Sequence, residues 1–478
     1  MGKTAEALSR NKRIYWSISV RAISELAEFV SSYPGSALPA ATRRTISLLI
    51  LDLIGATAAG LRSPLADAAR KSALEAYGEG PISIWLTENP SSVVGAAMAN
   101  SAAASALDID DGHRGAAGHA GAGVIPAALA VAQAVDSSVA ETMVAIALGY
   151  EIGLRIASSR PVAAIDTYAT GRWVGYGAAA AASRLLGLSA TETAHALGIA
   201  GAEGPIVFLT ANSKFEGSTI KEGIPPAVVA GITAAYRARA AATGPLDLLD
   251  DDDRFTRHVL TSNLGSSWEV EKCYLKPYAC CRYIHAAIDA ILAMRRDGQD
   301  IRKLRIETFP QAMRLANERA PSTLEGAQYS FYFSCALAAL YGREALQPVQ
   351  PERLTDVRVI ELAGRIELEA SSDFASAFPA ETPARVVMDQ GKGQEEMIVR
   401  HPLGDVLRPL STDQIWEKFK GLSRENVHPR WQDEILSAIG NLETAGLGPL
   451  LDALSRRGRR YAEEDAAREL ARSSEAFQ

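Results

Sequence analysis

The sequence predicts an α + α/β protein, with a large helical part, a smaller α/β part over about residues 266–404, and a return to helix after it. Three observations lead there. From about residue 20 to 245, apolar residues recur at helical spacing, rich in Ala and Leu with Gly and Ser at the joints. From Leu304 the period becomes two, and beyond His401-Pro402-Leu403-Gly404 it becomes helical again. At 478 residues the chain exceeds the roughly 100–200 typical of one domain, so two domains are expected.

Two helix starts have capping-box form, Ser138-Val139-Ala140-Glu141 and Ser189-Ala190-Thr191-Glu192. Each offers a hydroxyl to a first-turn N–H and a Glu three residues on. Gly187 is a natural stop for a helix over 176–186, because glycine enters the left-handed region without a Cβ clash. Leu304, Ile306 and Thr308 alternate with Arg305, Glu307 and Phe309, and Val357, Val359, Ile366 and Leu368 are patterned alike, which predicts strands. Residues 385–388 and 396–399 read as a hairpin around the turn Asp389-Gln390-Gly391-Lys392-Gly393. Helices are expected over 282–295 and 329–341, with a further cap at Ser411-Thr412-Asp413-Gln414. The acidic run 250–253 and the Arg-rich 456–460 read as solvated loops.

Forty-nine basic against 56 acidic residues leave a net charge of -7 gathered in neither half, which argues against nucleic acid as a partner. No apolar run is long enough to span a bilayer, and the first residues lack an apolar stretch with a cleavage site. A soluble, cytoplasmic protein is expected. Cys273, Cys280, Cys281 and Cys335 are too few and too clustered for a disulfide framework, and lack the spacing of zinc or iron–sulfur ligands. No metal and no cofactor are expected.

Chemistry concentrates first in Leu107-Asp108-Ile109-Asp110-Asp111-Gly112-His113-Arg114, with His119 following among Gly118, Ala120 and Gly121 ahead of a helix carrying Pro126. Unpaired buried charge is costly, and Gly and Ala leave space rather than fill it, so this composition suits a ligand site. The helix N-terminus behind it favours an anion. His119 can act as general base or acid, or merely cap the helix; His113 has the same two readings, weighted towards the structural one. Asp108, Asp110 and Asp111 can orient the imidazoles or bind Arg114, and Asp with His can also hold a metal, though no second ligand motif accompanies them.

The second stretch is Leu275-Lys276-Pro277-Tyr278-Ala279-Cys280-Cys281-Arg282-Tyr283-Ile284-His285. Lys276 and Arg282 together can neutralise a di- or tricarboxylate, although Lys276 can also be an ordinary surface lysine. His285 reads as structural and the paired cysteines as small hydrophobes. In a third stretch, residues 212–225, either Lys214 or Lys221 can meet a substrate carboxylate; Lys214 is the one placed among the binding candidates.

In this order the segments resemble the MmgE/PrpD family, which contains 2-methylcitrate dehydratase, cis-aconitate decarboxylase and iminodisuccinate epimerase. The likeness runs from about residue 25 to 450. It rests on Leu107–Asp111 with His119 and Pro126, on Trp173 with Gly177–Ala180 and Leu185–Leu188, on Ala196–Gly201, and most specifically on Lys276-Pro277-Tyr278 with Cys281-Arg282-Tyr283 and His285. The resemblance implies an all-α domain from both ends of the chain, residues 1–265 with 405–478, and an inserted α/β domain, 266–404. It further implies a site between them, no cofactor and a homodimer. Asp108, His119 and Lys276 fall at the family's catalytic positions. Three places depart from its decarboxylases: Gly112 stands where they have Thr, Tyr168 where they have His, and their lysine falls near Asn212, two residues from Lys214. The expected activity is a cofactor-independent hydro-lyase that takes a proton from the carbon beside a carboxylate of a small acid. Asp108 or Tyr168 would protonate the leaving group, with His113, Arg282, Lys214 and Tyr168 around the substrate. An epimerase, a decarboxylase or a non-catalytic member are the alternatives.

Overall fold

A computed structural model of the chain describes residues 20–455 apart from 162–164, 166, 168, 206–219, 297 and 392. The helices Ala22–Ser32, Ala40–Gly60, Pro64–Ala76, Val93–Ser105, Gly121–Ala134, Val139–Ser158, Val174–Leu185, Ala190–Glu203 and Ile224–Arg239 make up the first part. Several are apolar all round rather than striped, and bury accordingly: every residue from Gly121 to Ala132 is buried. Their main core also takes in Ile415, Phe419, Trp431 and Ile435, from the late helices Thr412–Ser423 and Pro429–Gly440. Thr412–Ser423 lies along Ala40–Gly60, so the end of the chain returns to its beginning.

A second core surrounds a four-stranded sheet ordered Glu367–Ala370, Lys303–Thr308, Ala384–Asp389, Gln394–Val399. The first pair is parallel and the other two are antiparallel. Helices His285–Met294 and Phe331–Tyr341 pack on one another, and the former covers the hairpin strands. Leu107 and Ile109 belong to this second core although they follow Val93–Ser105, a helix of the first part. The short strand Gly112–His113 then pairs antiparallel with Cys273–Tyr274. This seam carries both charged stretches.

The hairpin forms with its expected partners, Val386 opposite Met397. Val357 and Val359 do not lie on a strand. They open the helix Val357–Arg365, because Asp356 accepts from the backbone N–H groups of Arg358 and Val359 and the buried positions Val359, Leu362 and Ala363 follow helical spacing. The box at Ser189 closes through both arms, as does that at Ser411. At Ser138 only the hydroxyl caps, since the Glu141 carboxylate is drawn to Arg184 at 2.9 Å. Gly187 stops Val174–Leu185 at φ +66°. In the acidic run, Asp250 is not free in solvent: it accepts from Ala22 N–H and Arg257, pinning the first helix. The Arg-rich segment 456–460 lies outside the described residues. Among the described residues no single helix is long and apolar enough to cross a membrane.

Candidate active site

Asp108 occupies a left-handed turn, φ +54°, at the end of the loop that Leu107 and Ile109 anchor in the second core. Its carboxylate is the meeting point of three groups. Lys221 Nζ donates to Oδ1 at 2.9 Å, Lys276 Nζ lies 3.2 Å from Oδ2, and His119 Nε2 lies 3.3 Å from Oδ1. Both ammonium groups are fully buried. Burial alone would raise the Asp108 pKa, but Lys221, then Lys276 and His119, outweigh it and hold the carboxyl well below the usual range. Burial likewise opposes the charge on Lys221, and Asp108 more than restores it. Lys276 Nζ has its ion pair but no aligned hydrogen bond among the described residues.

Lys221 is aimed inward by its backbone. Lys221, Glu222 and Gly223 all have positive φ, and the helix Ile224–Arg239 starts directly after them with proline in its first turn. Its ammonium also donates to Gln328 Oε1 at 3.1 Å and to the Tyr329 hydroxyl at 3.0 Å. Tyr329 passes a hydrogen bond to Glu222 Oε1, and Glu222 Oε2 accepts from the Thr170 hydroxyl, which itself accepts from the His119 backbone N–H. A closed path thus runs from Lys221 to His119.

His119 Nδ1 faces the Asp111 carbonyl at 3.1 Å and Asp110 Oδ2 at 3.3 Å. A carbonyl can only accept, so Nδ1 carries the proton and Nε2, beside Asp108, is the nitrogen free to gain or lose one. Burial and Lys276 depress the His119 pKa, while Asp110 and Asp108 raise it by more, leaving it above its ordinary value. Asp110 is fully buried, and neither of its oxygens has an aligned hydrogen bond among the described residues. Asp111 accepts from Gly121 N–H and the Tyr150 hydroxyl, and burial with Asp110 beside it pushes its carboxyl up to about 7.

The other sequence candidates go elsewhere. His113 lies 3.3 Å from Glu269 and accepts from Ala116 N–H, making it a structural side chain of the Gly112–His113 strand. Arg114 pairs with Asp405 rather than with the aspartates beside it. Arg282, expected to bind substrate, is spent on Asp405 at 2.9 Å, the carbonyls of Pro402 and Leu403, and His285 Nδ1. That last bond requires a neutral His285, and burial and Arg282 hold its pKa well below the ordinary value. Lys214 and Tyr168 lie outside the described residues. Thr170, Glu222, Gln328 and Tyr329 join the site without having been singled out for it. Of the two lysines in the third stretch, Lys221 is the one among the described residues, and its ammonium donates to Asp108.

Gly112 has a specific reason to be glycine. A Cβ there would stand 2.5 Å from the ring and hydroxyl of Tyr274, its strand partner. The Tyr274 ring, held under Arg282 at 4.6 Å, fills the place of any side chain at position 112.

The cluster's charges do not suit a further cation. Asp108, Asp110 and His119 bring potential ligand atoms within 4.8 Å of one another, as a metal site would. Two ammonium groups already stand against Asp108, however, and a cation placed there would face both.

Two predictions follow from this geometry. Since the Asp111 pKa is raised to about 7, the stability it contributes is full below the ordinary carboxylate pKa near 4 and is lost as pH rises to about 7. Asp111→Asn should flatten that fall, read as melting temperature from pH 4 to 8; an unchanged profile refutes the assignment. Gly112→Thr should destabilise by about 1–3 kcal/mol through overpacking, and by less in the Tyr274→Ala background. Denaturant titration of the four proteins measures this, and additive effects would count against the contact.

Sequence models of the MmgE/PrpD N-terminal domain and the MmgE/PrpD C-terminal domain match residues 24–265 and 278–444. Among characterised relatives, a cis-aconitate decarboxylase-like protein, oryM, of Aspergillus oryzae is 25% identical over 90% of this chain and 97% of its own length. A cis-aconitate decarboxylase of Aspergillus terreus is 24% identical over 90% of this chain and 95% of its own. With both domain models matched in order along most of its length, the chain belongs to the MmgE/PrpD family.

Proposed function

We propose that the protein is a lyase acting on a small di- or tricarboxylic acid, removing the proton beside a carboxylate and expelling a hydroxyl as water, with no metal or cofactor. The observation that carries this reading is the Lys276 ammonium: fully buried, without an aligned hydrogen bond among the described residues, and grouped with Lys221 and His119 around one carboxylate. A substrate carboxylate entering here meets the Lys276 ammonium, which has no aligned hydrogen bond to give up, while Lys221, its donors spent on Asp108, Gln328 and Tyr329, adds positive charge beside it. His119 Nε2 takes the proton from the neighbouring carbon. Asp110, against Nδ1, stabilises the resulting imidazolium.

Asp108 was one of two candidates to protonate the leaving hydroxyl. Held ionised by two lysines, it has no proton to give near neutrality. The reading therefore has protonated His119 return its proton to the departing oxygen. One C–H and one C–O bond break, a C=C bond forms and water leaves. Asp108 fixes Lys221, Lys276 and the ring in mutual register. The family's decarboxylases and the names of the relatives favour a second reading, loss of carbon dioxide. Against it stands Gly112, where the decarboxylases resembled carry a threonine, and the Tyr274 ring that occupies that space. The family resemblance is the support for a homodimer, and the few, clustered cysteines are the support for a cytoplasmic location.

Incubation with citrate, 2-methylcitrate and cis-aconitate, followed by ultraviolet absorbance of the C=C bond and by chromatography, tests this reading. Interconversion of a hydroxy acid with its alkene is expected. Itaconate formation from cis-aconitate at the median enzymatic rate of about 10 per second would establish the decarboxylase instead. On the substrate so identified, His119→Ala and Lys276→Ala proteins shown by circular dichroism to be folded should each lose at least about 2.7–4 kcal/mol of transition-state stabilisation. Undiminished kcat/KM in either variant takes that residue out of the mechanism. Exhaustive chelation should leave turnover unchanged; a loss restored by one divalent ion contradicts the metal-free assignment.

A further inference from the structure

Behind the Asp108–Asp110 loop lies a second buried ion pair that the mechanism above does not use. Lys418, on the helix Thr412–Ser423, donates to Asp52 Oδ1, on Ala40–Gly60, at 2.5 Å. Both side chains are almost completely buried. Tying the two helices together needs no more than that bond. Lys418 Nζ nevertheless makes another, at 2.8 Å, to the carbonyl of Ile109, the residue between the two carboxylates that face His119.

That carbonyl is a leverage point. Asp108 holds a left-handed conformation, which non-glycine residues keep only when their surroundings fix it. Asp110 meets His119 only as an ion pair at 3.3 Å and has no aligned hydrogen bond among the described residues, so its direction depends on its backbone. The Ile109–Asp110 peptide is the link that sets it, and Lys418 is the charge that grips that link. The groups facing the His119 ring are Asp108 and Asp110 from this loop and Lys276 from the stretch after Cys273–Tyr274.

We propose that Lys418, neutralised by Asp52, is a positioning residue for proton transfer: by clamping the Ile109 carbonyl it aims Asp108 and Asp110 at the two nitrogens of His119. The inference builds on the role given to His119 above, but its geometry does not depend on which acid is the substrate.

The test compares the wild-type protein with Lys418→Met and with Asp52→Asn/Lys418→Met. The single variant leaves Asp52 buried without its partner, a change costly enough to threaten folding; the double variant removes both charges at similar volume, a replacement that buried ion pairs often tolerate. The titration of His119 is followed by NMR with labelled histidine, alongside circular dichroism to establish folding. With the two aspartates released and burial and Lys276 still acting, the His119 midpoint should fall below its wild-type value in the double variant. On an identified substrate, kcat should fall about 10²-fold with KM little changed, the scale of a misplaced reacting group. An unmoved His119 midpoint in a folded double variant overturns the proposal. A lowered midpoint supports it even where no acid of the panel is turned over, an outcome that would refute only the functional reading.

Discussion

A carboxylate with two ammonium groups and an imidazole around it, all withdrawn from water, is the constraint on which the site depends. Each buried ion costs several kcal/mol in lost hydration, and the attraction between them repays that only when every partner is in place. Asp108 stays ionised in the interior because Lys221 and Lys276 are there, and Lys221 keeps its charge because Asp108 is. Removing one partner of such a pair typically costs about 3–5 kcal/mol. The cluster therefore behaves as a unit. The second network, through Tyr329, Glu222 and Thr170, extends that unit to the backbone of His119, so Lys221 and His119 are held by one set of bonds.

Much of this was legible beforehand, for identifiable reasons. Asp108, His119 and Lys276 stood in stretches where charge met glycine, alanine or proline, and the helical and hairpin periodicities located most elements. Proximity along the chain does not set a shared direction. Arg282 lies six residues from Lys276, and His113 six from His119, yet both turn to acids on other segments, Asp405 and Glu269. Gln328 and Tyr329 sit in a stretch of mixed composition, 322–334, at the edge of an expected helix, with no cluster of charge and glycine to mark a site. Lys418 did leave a trace: it falls among Ile415, Phe419 and Leu422, the buried face of its helix, and a lysine on such a face calls for a buried acid.

The same scaffold can host several reactions of a carbanion beside a carboxylate, so family membership constrains the chemistry less than the side chains near the reacting carbon do. Gly112 and Tyr274 illustrate this. They face one another across a two-residue strand pairing, and the bulk of one is the reason for the smallness of the other. Substitution of either residue alone leaves a clash or a hole.

Asp52 and Lys418 are 366 residues apart in sequence, and Asp108 and Lys221 are 113 apart. Contacts that distant form only after large loops have closed, which places them late in folding. During synthesis the first helices emerge well before the lysine that neutralises Asp52 has been made. Until then Asp52 must stay hydrated or protonated, and Ala40–Gly60 cannot settle against a finished neighbour. A growing chain thus passes most of its translation as an incomplete helical assembly, with the apolar faces that await the last helices open to other chains.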